Sequence, residues 1–437
     1  MSTNSTSHIV LPLVNTGVTL DGRKAYLKAL RKFGISTTHY HTHEGKVYKR
    51  HKAHADTSSL EIHPFIHSHV AQKIAMAPSP SDVAEVPAQD VEQDSEYLVP
   101  VKIGTPPVTL HLDLDTGSSD LWVKGSRNDA NLYDPTKSET AKSVDGATWS
   151  IHYGDGSTAS GDVHTDVIQI GSISVKDQAI EVAQQFSDEF KQGKTDGLLG
   201  LAWPPGNTVK PKRVETPVAN MIAQGHRGLF SCALDYGDGE GFYTFGGIAP
   251  EKAGVKEADI KYIPCVNPPL YWTVASSKIT VNGRAHSILG GTGIIDTGTT
   301  LVLLPEDMVA SIYKQVPGSK YDQSEGIWLI PSKAKIPKIQ VDIGGHDFPL
   351  NPKSFAYQRN VADGYDLGCI QSRGNIGVNI LGDAFINGNY IVFDQEKNRV
   401  GIAPRSKTVK EVEESKHSLL DRLLPWNKSS SKVNLNE

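Results

Sequence analysis

Two aspartates carry the most specific chemistry in this 437-residue sequence. Asp115 stands in Leu112-Asp113-Leu114-Asp115-Thr116-Gly117-Ser118-Ser119, and Asp296 in Gly293-Ile294-Ile295-Asp296-Thr297-Gly298-Thr299-Thr300. Each closes an apolar, strand-like run and is followed by a second one, LWV and LVLLP respectively. A single Asp-Thr-Gly is ordinary turn chemistry. Two copies 181 residues apart in one local context are something else. A second element follows each copy in the same order, Gly197-Leu198-Leu199-Gly200-Leu201 and Asn379-Ile380-Leu381-Gly382-Asp383. That recurrence predicts two related lobes. Such lobes would bring Asp115 and Asp296 together across an approximate two-fold axis. Carboxylates a few ångström apart do not both ionise, so one pKa falls, the other rises, and the pair shares a proton. One site then holds a base that takes a proton from water and an acid that protonates a substrate carbonyl. No Ser or Cys nucleophile is needed.

The elements that must hold these residues are strands. From Tyr97 to Pro404 the chain runs in short β-type segments split by turns: YLVPVKI, VTLHLDLD, DLWVKG, TWSIHYG, VIQIGSISV. The 40 Gly and 25 Pro suit that reading, and 38% hydrophobic residues suffice for packed cores. Helices are expected at 217–224 and 305–316, each opening near a proline. Residues 23–33 read as a short amphipathic helix, with Tyr26, Leu27, Leu30 and Phe33 at 3–4 spacing and Gly34 closing it. The Pro-, Ser- and acid-rich stretch 77–94 reads as a solvated, cleavable linker.

Charge divides the chain. Residues 1–88 hold 10 Lys+Arg against 6 Asp+Glu and 9 of the 16 His; the remainder holds 34 against 43. A net charge of -5 argues against a nucleic-acid partner. No run of 18 apolar residues predicts a membrane span. The organisation expected is a basic, His-rich front (1–88), an N-terminal lobe (89–250), a C-terminal lobe (251–404) and a charged, flexible tail (405–437).

Taken together, LDTGSSDLWV, IHYGDGS, DGLLGLAW, FGGI, IIDTGTTLVLLP and ILGDAFINGNYIVFDQEKNRVGIAP resemble the pepsin-like family of aspartic endopeptidases over roughly residues 90–404. The resemblance implies an all-β, bilobal acid-protease fold and an acid-active peptidase made as a zymogen, monomeric, without cofactor or metal, acting on proteins and peptides. It makes Asp115 and Asp296 the catalytic dyad. Thr116 and Thr297 would cross-brace the two loops, and Ser118 and Thr299 would hydrogen-bond the outer carboxylate oxygens. Gly117, Gly298 and Thr299 would face the substrate. Gly200 and Gly382 would sit where each lobe's loop threads close to its Asp strand. Tyr153 would be the flap tyrosine, its hydroxyl meeting the indole N–H of Trp122. A peptide would bind under the flap like an added strand. The alternative from another class is a catalytically inactive, peptide-binding relative. Both aspartates, both threonines and the flap tyrosine stand against it.

The same resemblance accounts for the charge split: the basic prosegment straps the acidic enzyme until acid protonates carboxylates. Lys46 or Lys49 is the expected partner of the dyad. His39, His41, His43, His51 and His54 lack a Cys or acidic cluster, so they read as pH-sensing rather than metal-binding. The apolar run 9–14 is broken by Pro12 and has no basic lead, so it is not read as a signal peptide; the family implies a secreted or vacuolar enzyme. Cys369 should be a free thiol, because its family partner position holds Ser332. Cys232 and Cys265 flank the lobe junction, and nothing in their spacing requires a bond. At the flap tip, Gly154 and Asp155 follow Tyr153, and Asp-Gly is a favoured hairpin pair. Asp155, helped by Ser157, is also placed to accept a substrate lysine whose methylenes fill an apolar pocket.

Overall fold

The computed structural model describes residues 83–91, 96–125, 132–152, 158–235, 240–288, 291–323, 325–374, 376–412 and 414–415, with Tyr40–His43, Lys46–Lys49, Ala25, Tyr26, Ala29 and Lys32. Strands dominate. A 13-stranded sheet runs from Lys261–Pro264 through the strands Arg399–Pro404 and Asn389–Asp394 to Leu229–Ala233 and Glu240–Phe245, and on to the hairpin Lys142–His152/Thr158–Ile170. An extra pairing of Glu96–Ile103 with Thr158–Ile170 folds the N-terminal part back on itself. In this way the apolar faces of Val99, Val101, Ile103, Leu110 and Leu112 enclose one core.

The sequence repeat is a repeat of topology. In the first half, Val108–Asp115 runs parallel to Gly197–Gly200, which runs antiparallel to Leu121–Lys124, itself parallel to Ile173–Phe186. In the second, Thr292–Ile295 runs parallel to Asn379–Leu381, antiparallel in turn to Val302–Leu304, which is parallel to Ile370–Ser372. Strands covered on both faces read as apolar runs rather than as alternation. That explains why Leu112 to Asp115 are all buried. The glycines do what the repeat implies. A Cβ on Gly200 would lie 2.6 Å from the Asp120 nitrogen, and one on Gly382 would strike the backbone of Thr299 and Leu301.

Both expected helices form, as Pro217–Ala223 and Glu306–Tyr313. The linker expectation is corrected in part. Ala84–Val91 is a strand inside the large sheet, between Glu240–Phe245 and Glu96–Ile103. Glu85 and Pro87 fall on alternate, exposed positions while Ala84, Val86 and Ala88 point inward, buried. The tail is corrected too, as far as it is described. Arg405, its side chain 2% exposed, donates to Leu234 O and pairs with Asp235, and Val409 N–H donates to the same carboxylate at 2.6 Å. Val409 and Val412 are buried. Hence 405–412 is docked, not flexible. Residues 416–437 lie outside the described residues.

Candidate active site

The two Asp-Thr-Gly loops meet, and the threonines join them. Thr116 Oγ1 donates to Ile295 O (2.9 Å) and accepts from Thr297 N–H (3.0 Å). Thr297 Oγ1 donates to Leu114 O (2.5 Å) and accepts from Thr116 N–H (3.1 Å). Each hydroxyl therefore satisfies buried backbone of the opposite loop, and both threonines are sealed from water, at 0% and 3% exposure. Gly117 N–H donates to Asp115 Oδ1 (2.7 Å) and Gly298 N–H to Asp296 Oδ1 (3.1 Å). A side chain on either glycine would collide with the carboxylate of the opposite loop. Thr299 Oγ1 donates to Asp296 Oδ2. The matching bond from Ser118 is not closed. Its hydroxyl is buried without a geometric partner, though its proximity helps depress the Asp115 pKa. Asp115 Oδ1 takes Gly117 N–H and an ammonium.

That ammonium belongs to Lys32. Its Nζ lies 2.7 Å from Asp115 Oδ1, and 2.8 and 2.9 Å from the two oxygens of Asp296. This corrects the assignment to Lys46 or Lys49, which belong to the two-stranded ribbon Tyr40–His43/Lys46–Lys49. The reason is helical periodicity. Ala25, Ala29 and Lys32 have helical backbone at i, i+4 and i+7, one face, and Ala25 and Ala29 are buried. Tyr26, on the same side, donates to Ser372 O at 2.7 Å. Burial would lower the Lys32 pKa, but the two carboxylates outweigh it and keep the ammonium charged. For Asp115, burial pushes the pKa up while the Lys32 charge and hydrogen bonds pull it below the ordinary range. For Asp296, burial and the Asp115 charge prevail over Lys32 and leave it raised. The two carboxyls are thus driven apart, Asp115 toward the ionised form and Asp296 toward the protonated one.

Residues 96–405 match the family of eukaryotic aspartyl proteases. The chain is 37% identical over 356 residues to "Aspartic endopeptidase PEP1" of Trichophyton verrucosum, covering 76% of this chain and 86% of that protein. It is 38% identical over 347 residues to "Aspergillopepsin-1" of Aspergillus pseudoglaucus, covering 78% and 86%. The chain belongs to the eukaryotic aspartyl protease family. Among solved structures, an aspartic proteinase from Irpex lacteus superposes with a TM-score of 0.63 at 26% identity, over 74% of this chain and 98% of that one. The fold is the bilobal all-β fold of this family, and the protein is an aspartic endopeptidase.

Around the dyad of this protease, Trp122 is fully buried, stacked on Trp149 at 5.9 Å and edge-on to Phe190 at 4.8 Å. The strands Lys142–His152 and Thr158–Ile170 pair antiparallel, with His152 opposite Thr158. Tyr153, Gly154, Asp155 and Ser157 themselves lie outside the described residues, as do His39, His51 and His54. Among the described residues no cluster of three His, Cys, Asp or Glu is placed to hold a metal, and no helix is long and apolar enough to cross a membrane. Cys232, Cys265 and Cys369 are all buried free thiols. Burial pushes the Cys265 thiol up to about 12 and raises the other two as well. Ser332 instead donates to Asp366 at 2.7 Å. Sequence reasoning missed Tyr271, close enough to Lys32, Asp115 and Asp296 to feel all three charges. No local signal marks it.

Proposed function

We propose that the protease is an acid-triggered zymogen in which Asp115 and Asp296 are the catalytic pair and the helix carrying Lys32 is its own inhibitor. The observation that carries this is the Lys32 ammonium within 2.9 Å of both carboxyl groups. With Lys32 seated, no water can occupy the position between the carboxylates. At low pH the dyad protonates, the attraction fades, and the helix leaves. The freed ionised carboxylate then takes a proton from water. That water's oxygen attacks the peptide carbonyl, while the protonated partner gives its proton to the carbonyl oxygen. Collapse of the tetrahedral intermediate passes a proton to the departing amine and restores the pair.

The cut that completes activation falls between Lys49 and Ala84. The strand Ala84–Val91 supports that limit, because a cut within it would leave its sheet partners unpaired. Substrates are proteins and peptides bound in extended form under the hairpin of Lys142–His152 and Thr158–Ile170, and the enzyme works as a monomer in an acidic setting, secreted or vacuolar. The test is acid incubation of the purified full chain followed by N-terminal sequencing, with and without a statine-type inhibitor. Wild type should convert below about pH 5, where carboxylates titrate. Asp115→Asn and Asp296→Asn should fold and show neither conversion nor hydrolysis. More than a few per cent of wild-type activity in either variant would overturn the assignment.

A further inference from the structure

A second pair of carboxyl groups, which hydrolysis does not use, lies beneath the Asp115 loop. Asp120 ends that loop and Glu181 sits within the strand Ile173–Phe186; each is 1% exposed. Asn207 Nδ2 donates to both, at 3.1 Å to Asp120 Oδ1 and 2.8 Å to Glu181 Oε1. Thr208 adds its N–H (2.8 Å) and its hydroxyl (2.9 Å) to the same Asp120 oxygen. Asp120 thus has three N–H or O–H donors and Glu181 one; Glu181 Oε2 takes none, and the two carboxyl groups are within side-chain hydrogen-bond reach of each other. Strand pairing sets Glu181 opposite Trp122 on one side and Val163 on the other, both in the apolar cluster under the hairpin.

A carboxylate with three donors is equipped to stay ionised. A buried carboxyl that lacks donors of its own and adjoins that carboxylate is equipped to keep its proton and donate it to its neighbour. Burial, then the Asp120 charge, push the Glu181 pKa well above the carboxylate range. Burial raises Asp120 as well, against the Thr208 donors, with Asp115 adding to the rise. Among neighbouring charged groups, Arg213 donates its Nε to Asn207 O (3.2 Å), and Lys124 on the adjacent strand donates its Nζ to Gly193 O (3.3 Å). The cluster is continuous with the catalytic loop. Gly200 N–H donates to Asp120 O (2.8 Å), Ala202 N–H to Ser118 O (2.9 Å), and Ser119 Oγ to Trp203 O (2.7 Å).

We propose that Glu181 is a proton-dependent strut: neutral, it supports the Asn207–Asp120 network under the catalytic loop, and its ionisation on leaving acid conditions unlatches this half and inactivates the protease. Glu181 holds its proton more tightly folded than unfolded. Its contribution is therefore complete below the ordinary glutamate range and is lost as pH rises through the folded value. Between the two, unfolding releases one proton, and the unfolding equilibrium grows about tenfold per pH unit.

The test follows guanidinium unfolding of the full chain between pH 5.5 and 8 for wild type, Glu181→Gln and Glu181→Leu. It reads folding and not hydrolysis, so it can fail while the protease assignment stands, and the reverse. Both variants should lose the tenfold-per-unit dependence that wild type shows, since the dyad titrates alike in all three. After acid activation, their half-lives at pH 8 should exceed that of wild type by about tenfold or more. An unchanged pH slope in a folded variant overturns the proposal. If Gln does not fold, Leu carries the test. Failure of both to fold at pH 4, where Glu181 is neutral in any case, overturns it too, because shape and not the proton would then be what matters.

Discussion

Replacing Lys32 by Met keeps most of the side chain's length and removes its charge, leaving Asp115 and Asp296 buried with nothing to neutralise them. Breaking a buried charge pair from one side costs about 3–5 kcal/mol. The three contacts of 2.7 to 2.9 Å around Nζ place this site within that range. At 1.36 kcal/mol per decade, the closed-to-open ratio of the helix should fall by roughly two to nearly four orders of magnitude. The pH dependence has a definite sign. Asp115 is held below its ordinary pKa by Lys32, so its share of the closure is complete above the unperturbed aspartate range and fades as pH falls through the lowered value. In Lys32→Met that acid-driven release disappears. The assay is binding of a statine-type inhibitor to uncleaved full-length protein from pH 3 to 7, followed by fluorescence quenching, with hydrolysis of a short fluorogenic peptide as second readout. Wild type should bind weakly at pH 7 and more tightly as pH falls below the ordinary aspartate range; the variant should bind tightly throughout. Wild-type and variant affinities within threefold of each other at pH 7 would refute the reasoning.

Denatured, unreduced protein should titrate three thiols with a thiol reagent, because Cys232, Cys265 and Cys369 are all unpaired; a count of one would reveal a disulfide. Asp155→Ala should lose cleavage after Lys by about 5- to 150-fold while sparing cleavage after Phe, the measure of a charge-assisted contact worth roughly 1–3 kcal/mol; equal loss on both substrates would make Asp155 a shaping residue of the flap. Arg405→Ala should leave the Asp235 carboxylate buried and unpaired and lower stability by about 3–5 kcal/mol in denaturant unfolding. A change under 1 kcal/mol there would mean that the docked segment 405–412 contributes little.

The dyad and its brace were legible because a duplicated lobe prints its strand ends twice, and two copies of Asp-Thr-Gly in one context leave little else to infer. Lys32 was not. It sits inside a helix whose apolar positions drew attention to Tyr26, Leu27, Leu30 and Phe33, while the face that meets the enzyme is built on two alanines and a lysine. Small residues give a weak periodic signal, although they are what allows a helix to approach closely. Ala84–Val91 escaped for a related reason. Its composition is that of a linker, and only its long-range partners make it a strand, as β-propensity yields to context. Arg405 and Asp235 lie 170 residues apart, and nothing local announces their pairing.

The reciprocal threonine bonds have a consequence for how such a chain can change over time. Because each hydroxyl is satisfied by backbone from the other copy, the separation of the two carboxyl groups is a joint property that neither copy sets by itself. Loops, pockets and surface charge can drift apart in the two copies, as the hairpin in one and the Glu306–Tyr313 helix in the other already have. The four bonds at Thr116 and Thr297 tolerate no such drift, since a substitution on one side strands polar backbone on the other. Duplication has therefore left the molecule obligatory symmetry where its two loops meet and freedom to diverge in the surface around them.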